Sequence, residues 1–168
     1  IDWKKAIAEE DIKASYSEEL NDVYAPYEFE SIQPNAETKN IRFIDAISES
    51  LSQSMERHDN LVIMGQDIAE YGGAFKVTEG FVSKFGKERV RNTPICESII
   101  VSAAAGLSAN QSKAVIEMQF ADFIMPAVNQ IVSEAAKIRY RSNNDWSCPI
   151  VVRAPFGGGI HGALYHSQ

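Results

Sequence analysis

Glu97 has the residue type and the surroundings of a group that exchanges protons with a ligand. It follows Pro94-Ile95-Cys96 and precedes Ser98 and the apolar run Ile99-Ile100-Val101, at the predicted start of a helix. The N-terminus of a helix stabilises a carboxylate anion, whereas burial among apolar side chains favours the protonated acid. A carboxyl group under both influences is suited to proton exchange near neutral pH. The alternative is that Glu97 simply occupies a first helical turn, where acidic residues are common.

Other polar and aromatic side chains follow the predicted strands directly. Gln66 comes after the first strand, Gln119 after the second and Phe156 after the third. Ligands of open parallel sheets bind at the carboxyl ends of the strands, so these residues mark a candidate site. Phe120 and Phe123 beside Gln119 are either core residues or a flat apolar wall for a ring-shaped ligand.

The histidines and glycines do not form a recognisable metal or phosphate motif. His161 and His166 lie five residues apart in a glycine-rich loop, and His58 is distant, so zinc-ligand spacing is absent. A loop histidine near a strand end can still act as an acid or hydrogen-bond donor. Gly157-Gly158-Gly159 follows a strand but lacks the Lys-Ser/Thr pair of a phosphate loop. A nucleotide-binding domain is therefore an alternative that the glycine pattern disfavours.

The elements that must position these residues alternate between helices and short apolar strands. Apolar residues at helical spacing predict a strong helix over residues 125–141, and the run at 61–64 predicts a buried strand. This alternation predicts an α/β fold, an open and mostly parallel sheet with flanking helices. The further predicted helices cover 41–58, 78–85 and 97–110, and the further strands cover 113–118 and 149–154.

The charge of the chain is concentrated in its first 37 residues. The 168 residues carry a formal net charge of −7. Residues 1–37 hold ten acidic residues and three lysines, and the remainder holds thirteen residues of each sign. A balanced body argues against a nucleic-acid surface. Residues 1–22 predict a charged, weakly amphipathic helix, and residues 23–40, with Pro26 and Pro34, predict a linker.

Membrane helices, leader segments and cysteine pairs in a sequence bear on where the protein is located. No apolar stretch approaches the roughly 18 residues of a membrane helix, and no basic leader precedes an apolar run. Cys96 and Cys148 are far apart in the sequence and belong to no Cys-x-x-Cys pair. We therefore expect reduced thiols in a cytoplasmic protein that binds neither membranes nor nucleic acid.

Four segments stand in order between about residue 40 and residue 168. They read GGAFKVTEGF, KFGKERVRNTPICES, QFADFIMPAVNQIVSEAAKIRYRS and HGALYHSQ. Together they resemble the thiamine-diphosphate-dependent 2-oxo acid dehydrogenases, in the beta subunit or the beta half of a fused alpha–beta chain. The resemblance is strongest to the branched-chain (2-oxoisovalerate) type through QFADF, KIRYRS and HGALYHSQ. Pyruvate and acetoin dehydrogenases are the near alternatives.

The resemblance implies a transketolase-like pyrimidine-binding domain over residues 40–168. The domain would be incomplete at its C-terminal end, because the family has further strands and a C-terminal domain. Residues 1–39 would be the tail of a preceding alpha part. In the family that alpha part carries a Gly-Asp-Gly and Asn-Asn motif for diphosphate and magnesium, which does not occur here. We therefore expect this chain to bind no metal and to be inactive alone.

The resemblance also implies roles for individual residues. Glu97, in the family's Pro-Ile-x-Glu motif, would hydrogen-bond a ring nitrogen of the cofactor's aminopyrimidine. That contact would drive the amino group to the imino form, which removes the thiazolium proton. Phe123 would stack on the pyrimidine, and Gln119 would line the same pocket. His166, with Tyr165 as a neighbour, would lie near the substrate and assist proton or acyl transfer.

The implied activity is the oxidative decarboxylation of a branched-chain 2-oxo acid such as 2-oxoisovalerate. The acyl group would pass to a lipoyl arm, so the implied partners are the alpha part and a lipoyl-bearing acyltransferase, within an oligomer. A non-catalytic assembly module is the alternative from a different functional class.

Two positions depart from the family pattern. Gln66 stands in Gly65-Gln66-Asp67 where the family commonly has Gly-Glu-Asp, so an acidic network that would extend from the cofactor site loses an ionisable group. Ile99 and Ser102 stand where the family usually has glycines, and Ile99 would add bulk near the cofactor pocket or a subunit contact. Neither departure replaces Glu97.

Overall fold

A four-stranded parallel sheet forms the centre of the computed structural model, which describes residues 3–31, 33–34, 36–157 and 161–167. The strand order is β2-β1-β3-β4, and every pairing is parallel, as the sequence predicts. The strands are β1 (Leu61–Gly65), β2 (Val90–Asn92), β3 (Lys113–Glu117) and β4 (Ile150–Arg153). The α/β fold class is therefore confirmed.

Helices cover both faces of this sheet and create two hydrophobic cores. On one face Met55 and Phe81 pack with Ile63 of β1. On the other face Ile100 and Met64 pack with Ile116 of β3. The central strands are covered on both faces, which is why residues 61–64 of β1 and 114–116 of β3 are apolar. The α-helices are α1 (Trp3–Ala8), α2 (Tyr16–Val23), α3 (Phe43–Arg57), α4 (Phe81–Phe85), α5 (Glu97–Ala109), α6 (Val128–Gln130), α7 (Ile138–Arg141) and α8 (Ala163–His166).

The helix predicted for residues 125–141 forms as a helical segment, but it is not a regular α-helix throughout. The helical segment starts earlier with 3-10 turns at Ala121–Ala127, which contain Pro126, and then forms α6. A proline cannot donate to the helical hydrogen-bond ladder, so the tighter turns around it precede the regular helix. A π-helical turn follows at Ile131–Ala135, where the amide of Ala136 reaches the carbonyl of Ile131 at 2.9 Å, and α7 completes the segment.

The head of the chain forms two short helices, not the single helix predicted for residues 1–22. Helix α2 lies against α7, where Tyr140 donates to the carboxylate of Glu19 and Asn144 donates to Asp22 at 2.8 Å. The described residues between Tyr24 and Ile41 have no regular structure, as the linker prediction requires. Within the described residues, no helix has the length and apolarity needed to cross a membrane.

Strand β2 was not predicted, and Arg89 explains how it is held in place. The Arg89 guanidinium donates to the carbonyls of Met55 and His58 at 2.7 and 2.6 Å, and to that of Leu61 at 3.1 Å. Met55 and His58 lie at the end of α3, where the last carbonyls lack intrahelical partners, and Leu61 begins β1. One side chain therefore connects α3, β1 and the residue preceding β2.

Substituting Arg89 by alanine should destabilise the chain by about 2–3 kcal/mol, because three partly buried carbonyls lose a charged donor. Urea unfolding of the 168-residue chain measures this free energy. The control is Arg91→Ala, whose side chain is exposed and pairs with Glu88, and which should cost about 0.5 kcal/mol or less. Equal losses for both variants would contradict the role assigned to Arg89.

Candidate functional site

The candidate site lies where β1 and β3 end and helix α5 begins. Gly65 is the last residue of β1 and pairs with Glu117, the last residue of β3. A Cβ atom at residue 65 would lie 2.7 Å from the carbonyl oxygen of Glu117, so this position requires glycine. The carbonyl of Gly65 also accepts the amide of Thr93 at 2.9 Å, four residues before Glu97. The approach to α5 is thereby attached to the end of β1.

Glu97 is the first residue of α5, as the sequence predicts, and its side chain contacts Gln66. The Gln66 amide donates from Nε2 to Oε1 of Glu97 at 3.1 Å. Gln66 is only 6% exposed, whereas Glu97 is partly exposed. The first turn of a helix stabilises a carboxylate by about 0.3–1 kcal/mol, and a hydrogen bond to a charged group adds about 1.5–3 kcal/mol. Both interactions hold the carboxylate in one orientation.

The apolar wall that the sequence suggested around Glu97 forms on one side only. Ile100 and Val101 are buried in the core and anchor α5. Ile95 and Ile99, in contrast, are 83% and 61% exposed. For Ile99 helical periodicity explains the difference, because neighbouring residues of a helix point in different directions, whereas Ile95 precedes the helix. Ile99 therefore lies on an open surface of the chain.

Gln119 links the end of β3 to the turn after β1. Its Nε2 donates to Oδ2 of Asp67 at 3.2 Å. Asp67 has a positive φ of 56°, and its carbonyl accepts the amide of Gly73 at 2.9 Å. The predicted site residue Gln119 thus reaches the residue next to Gln66. The two amides bind two different carboxylates at the same edge of the sheet.

Phe123 and His166, both predicted site residues, meet in an aromatic cluster. The imidazole of His166 lies over Phe120 with ring centroids 4.2 Å apart, and it lies 5.7 Å from Phe123. Phe120 contacts Phe123 edge-on at 5.5 Å. Tyr165 is exposed, and its ring lies 6.4 Å from that of His166, as a neighbour. Because Gln119 directly precedes Phe120, the cluster adjoins the two amide–carboxylate contacts along the chain.

An apolar cavity of about 460 Å³ lies beside this cluster. Phe156, the residue noted after β4, lines the cavity together with Phe43 and Ile44 of α3. Phe75 also lines it and contacts Phe120 edge-on at 6.0 Å, so the cavity and the aromatic cluster share a side chain. The guanidinium-bearing residue Arg153 is the charged member of the lining.

A buried ion pair at the strand ends was missed by the sequence analysis. Glu117 is only 2% exposed and binds Arg153, its register partner on β4. Burial raises the pKa of Glu117, and the charge and hydrogen bond of Arg153 oppose that rise. The available signal was an acidic residue at the end of one predicted buried strand and a basic residue at the end of another.

Comparison with known proteins places residues 39–168 in one family. These residues match the family described as "Transketolase, pyrimidine binding domain". The chain is 60% identical over 126 residues to a Bacillus subtilis (strain 168) protein named "2-oxoisovalerate dehydrogenase subunit beta", covering 75% of this chain and 38% of that protein. It is 45% identical over 135 residues to a Pseudomonas aeruginosa protein of the same name, covering 80% of this chain and 39% of that protein.

A relative with a different name is also similar. The chain is 41% identical over 128 residues to an Acholeplasma laidlawii protein named "Pyruvate dehydrogenase E1 component subunit beta", covering 76% of this chain and 39% of that protein. The chain therefore spans 38–39% of the length of these three curated relatives.

The pKa of Glu117 is raised even beside Arg153, because burial outweighs the opposing charge, and replacing Arg153 by methionine should make stability depend more steeply on pH through Glu117. Burial still raises the pKa of Glu117, but the opposing charge is gone. An acid whose folded-state pKa is raised costs stability above its unfolded value, so the variant should lose unfolding free energy as pH rises from about 5 to 8, at up to about 1.4 kcal/mol per pH unit.

Urea unfolding across that pH range measures the slope. The double variant Arg153→Met with Glu117→Gln serves as the control, because it removes the titrating group and should abolish the additional slope. A slope that persists in the double variant would show that another group is responsible.

Proposed function

The chain belongs to the family of transketolase pyrimidine-binding domains, and we propose that it forms the pyrimidine side of a thiamine diphosphate site in a branched-chain 2-oxo acid dehydrogenase. Family members and the beta subunits that this chain resembles depend on thiamine diphosphate. The observation that carries the proposal is the position of Glu97 at the start of α5, with one carboxylate oxygen bound by the buried Gln66.

The residues at the strand ends fit an aminopyrimidine. Such a ring has nitrogen atoms at its edge and two flat apolar faces. Within the described residues, Gln66 occupies Oε1 of Glu97 and leaves Oε2 to bond a ring nitrogen. Phe120 and Phe123 supply aromatic surface at the same edge of the sheet. A carboxyl group would bond the ring edge of such a ligand, and aromatic side chains that follow the neighbouring strand would pack on its faces.

The diphosphate and magnesium end of the cofactor belongs, in this proposal, to a separate alpha part. Among the described residues, no three His, Cys, Asp or Glu side chains form a group that could hold a metal ion. Residues 1–39 are proposed to be the tail of that alpha part, and residues 40–168 the N-terminal portion of the beta part. The assembled enzyme is proposed to be a cytoplasmic oligomer that works with a lipoyl-bearing acyltransferase.

When bound, thiamine diphosphate supplies an electron sink that permits cleavage of the bond between the keto and carboxyl carbons of a 2-oxo acid. The contribution of this chain is to hold and move protons. With the cofactor bound, Oε2 of Glu97 would exchange a proton with a pyrimidine ring nitrogen, while Gln66 holds Oε1 in place. His166 has an Nδ1 atom without a hydrogen-bond partner in the described part of the chain. It is proposed to donate a proton or hydrogen bond to the substrate.

The proposed substrate is 2-oxoisovalerate or a related branched-chain 2-oxo acid, followed by acyl transfer to lipoyl. The observation that favours this class is the 60% identity to a protein named for 2-oxoisovalerate, against 41% to a protein named for pyruvate. A pocket discriminates one methylene by only about 1–3 kcal/mol, so pyruvate is the second candidate.

Substituting Glu97 by glutamine in the enzyme assembled with its alpha part should lower turnover at saturating cofactor by about 10²–10⁴-fold, because glutamine cannot exchange a proton. Release of carbon dioxide from 2-oxoisovalerate measures turnover, and circular dichroism checks that the fold is intact. The matched control is Glu88→Gln, an exposed acid on the same chain, which should leave turnover unchanged.

Unchanged turnover in Glu97→Gln would favour the non-catalytic assembly module and contradict the proposal. The 168-residue chain without the alpha part should release no carbon dioxide above background when given the cofactor and 2-oxoisovalerate. Clear turnover by this chain alone would contradict the division of the site between two parts.

A further inference from the structure

The side chain of Gln66 is buried and donates a hydrogen bond to the carboxylate of Glu97. It is 6% exposed, and its Nε2 donates to Oε1 of Glu97 at 3.1 Å. Its backbone follows Gly65, whose close approach to the carbonyl of Glu117 leaves no room for a Cβ atom. The contact therefore joins two anchored elements, the end of β1 and the beginning of α5.

An amide at residue 66 has a chemical consequence that a carboxyl group there would reverse. The amide nitrogen only donates hydrogen bonds and does not titrate, so it stabilises the charged form of the carboxylate beside it. Two carboxyl groups about 3 Å apart cannot both be ionised at neutral pH and instead share a proton. The identity of residue 66 thus determines whether this contact stores a proton.

We propose that Gln66 is a positioning residue that confines protonation at this site to Glu97 and directs it to Oε2, the oxygen that faces the ligand in the proposed function. The inference rests on that proposed function for the identity of the ligand, although the contact itself belongs to this chain. Gln66 acts through Glu97 and exchanges no proton itself. In a chain with glutamate at residue 66, the pair would hold a proton between the two side chains.

The other charged groups at this edge of the sheet already have partners. Asp67 accepts the amide of Gln119 at 3.2 Å, and Glu117 binds Arg153. Glu70 pairs with Lys87 at 3.1 Å. Each of these three acids has its own donor, and Glu97 is the acid that Gln66 contacts, so a change at residue 66 should act on Glu97 first.

The test compares four forms of the 168-residue chain without cofactor: wild type, Gln66→Glu, Gln66→Met, and the exchange Gln66→Glu with Glu97→Gln. Urea unfolding from pH 5 to 8 measures the folding equilibrium constant. In Gln66→Glu, a shared proton raises a folded-state pKa of the pair, so stability is lost as pH rises above the unfolded value. The folding constant should fall at least about tenfold more than in wild type.

The exchange variant restores one acid and one amide in opposite positions and should return the pH profile to that of wild type. A return to the wild-type profile would show that the pH dependence comes from a proton shared by two acids. A packing defect alone would lower stability by a similar amount at every pH. If the pH profiles of Gln66→Glu and wild type coincide, the two side chains do not interact as proposed, and the inference is overturned.

Gln66→Met keeps the size of the side chain and removes the donor, and it provides a readout if Gln66→Glu does not fold. Urea unfolding should show a lower midpoint for Gln66→Met than for wild type, and a larger deficit at pH 8 than at pH 5, because the charged carboxylate loses its hydrogen bond. An unchanged midpoint overturns the inference. Since these measurements contain no cofactor, their failure is distinguishable from a failure of the proposed function, which the turnover of Glu97→Gln tests.

Discussion

The pairing of Gly65 with Glu117 brings the ends of the two central strands closer together than any side chain at residue 65 would allow. Both strands end at this pair, and Gln66 and Gln119 follow within two residues. The pairing also places Glu117 deep in the sheet, where Arg153 of β4 neutralises its charge. Truncating one member of such a buried pair is costly, so the same strand end combines a tight steric constraint with an electrostatic one.

The contacts of the candidate site are made by residues that come just after these two strand ends. Gln66 reaches the first residue of α5, and Gln119 reaches Asp67 beside it. Phe120 then begins the aromatic cluster that includes His166. The chain thus presents a carboxylate where the end of β1 meets α5 and aromatic surface after β3, which are the two kinds of contact that a flat heterocycle with ring nitrogens uses. In the account proposed here, the chemistry of the cofactor depends on another part of the enzyme, and this chain controls one proton.

Sequence patterns predicted the elements whose burial leaves a local signal. The runs at 61–64 and 114–116 are apolar because both faces of the central strands are covered, and the helix start at Glu97 follows from its place before an apolar run. Strand β2 escaped prediction because it has three residues, two of them exposed. The predicted helix at 125–141 had the right periodicity, but periodicity does not register how Pro126 and the π-helical turn interrupt the regular geometry.

The contacts of the site required the tertiary structure. Gln66 and Glu97 are 31 residues apart, and Glu117 meets Arg153 only because β3 and β4 pair in one register. The most direct test of the account is a structure of the assembled enzyme with thiamine diphosphate bound. The account predicts that Oε2 of Glu97 lies about 2.6–3.2 Å from a pyrimidine ring nitrogen. A Glu97 side chain that turns away from the ring, or forms an ion pair with a basic residue instead, would contradict it.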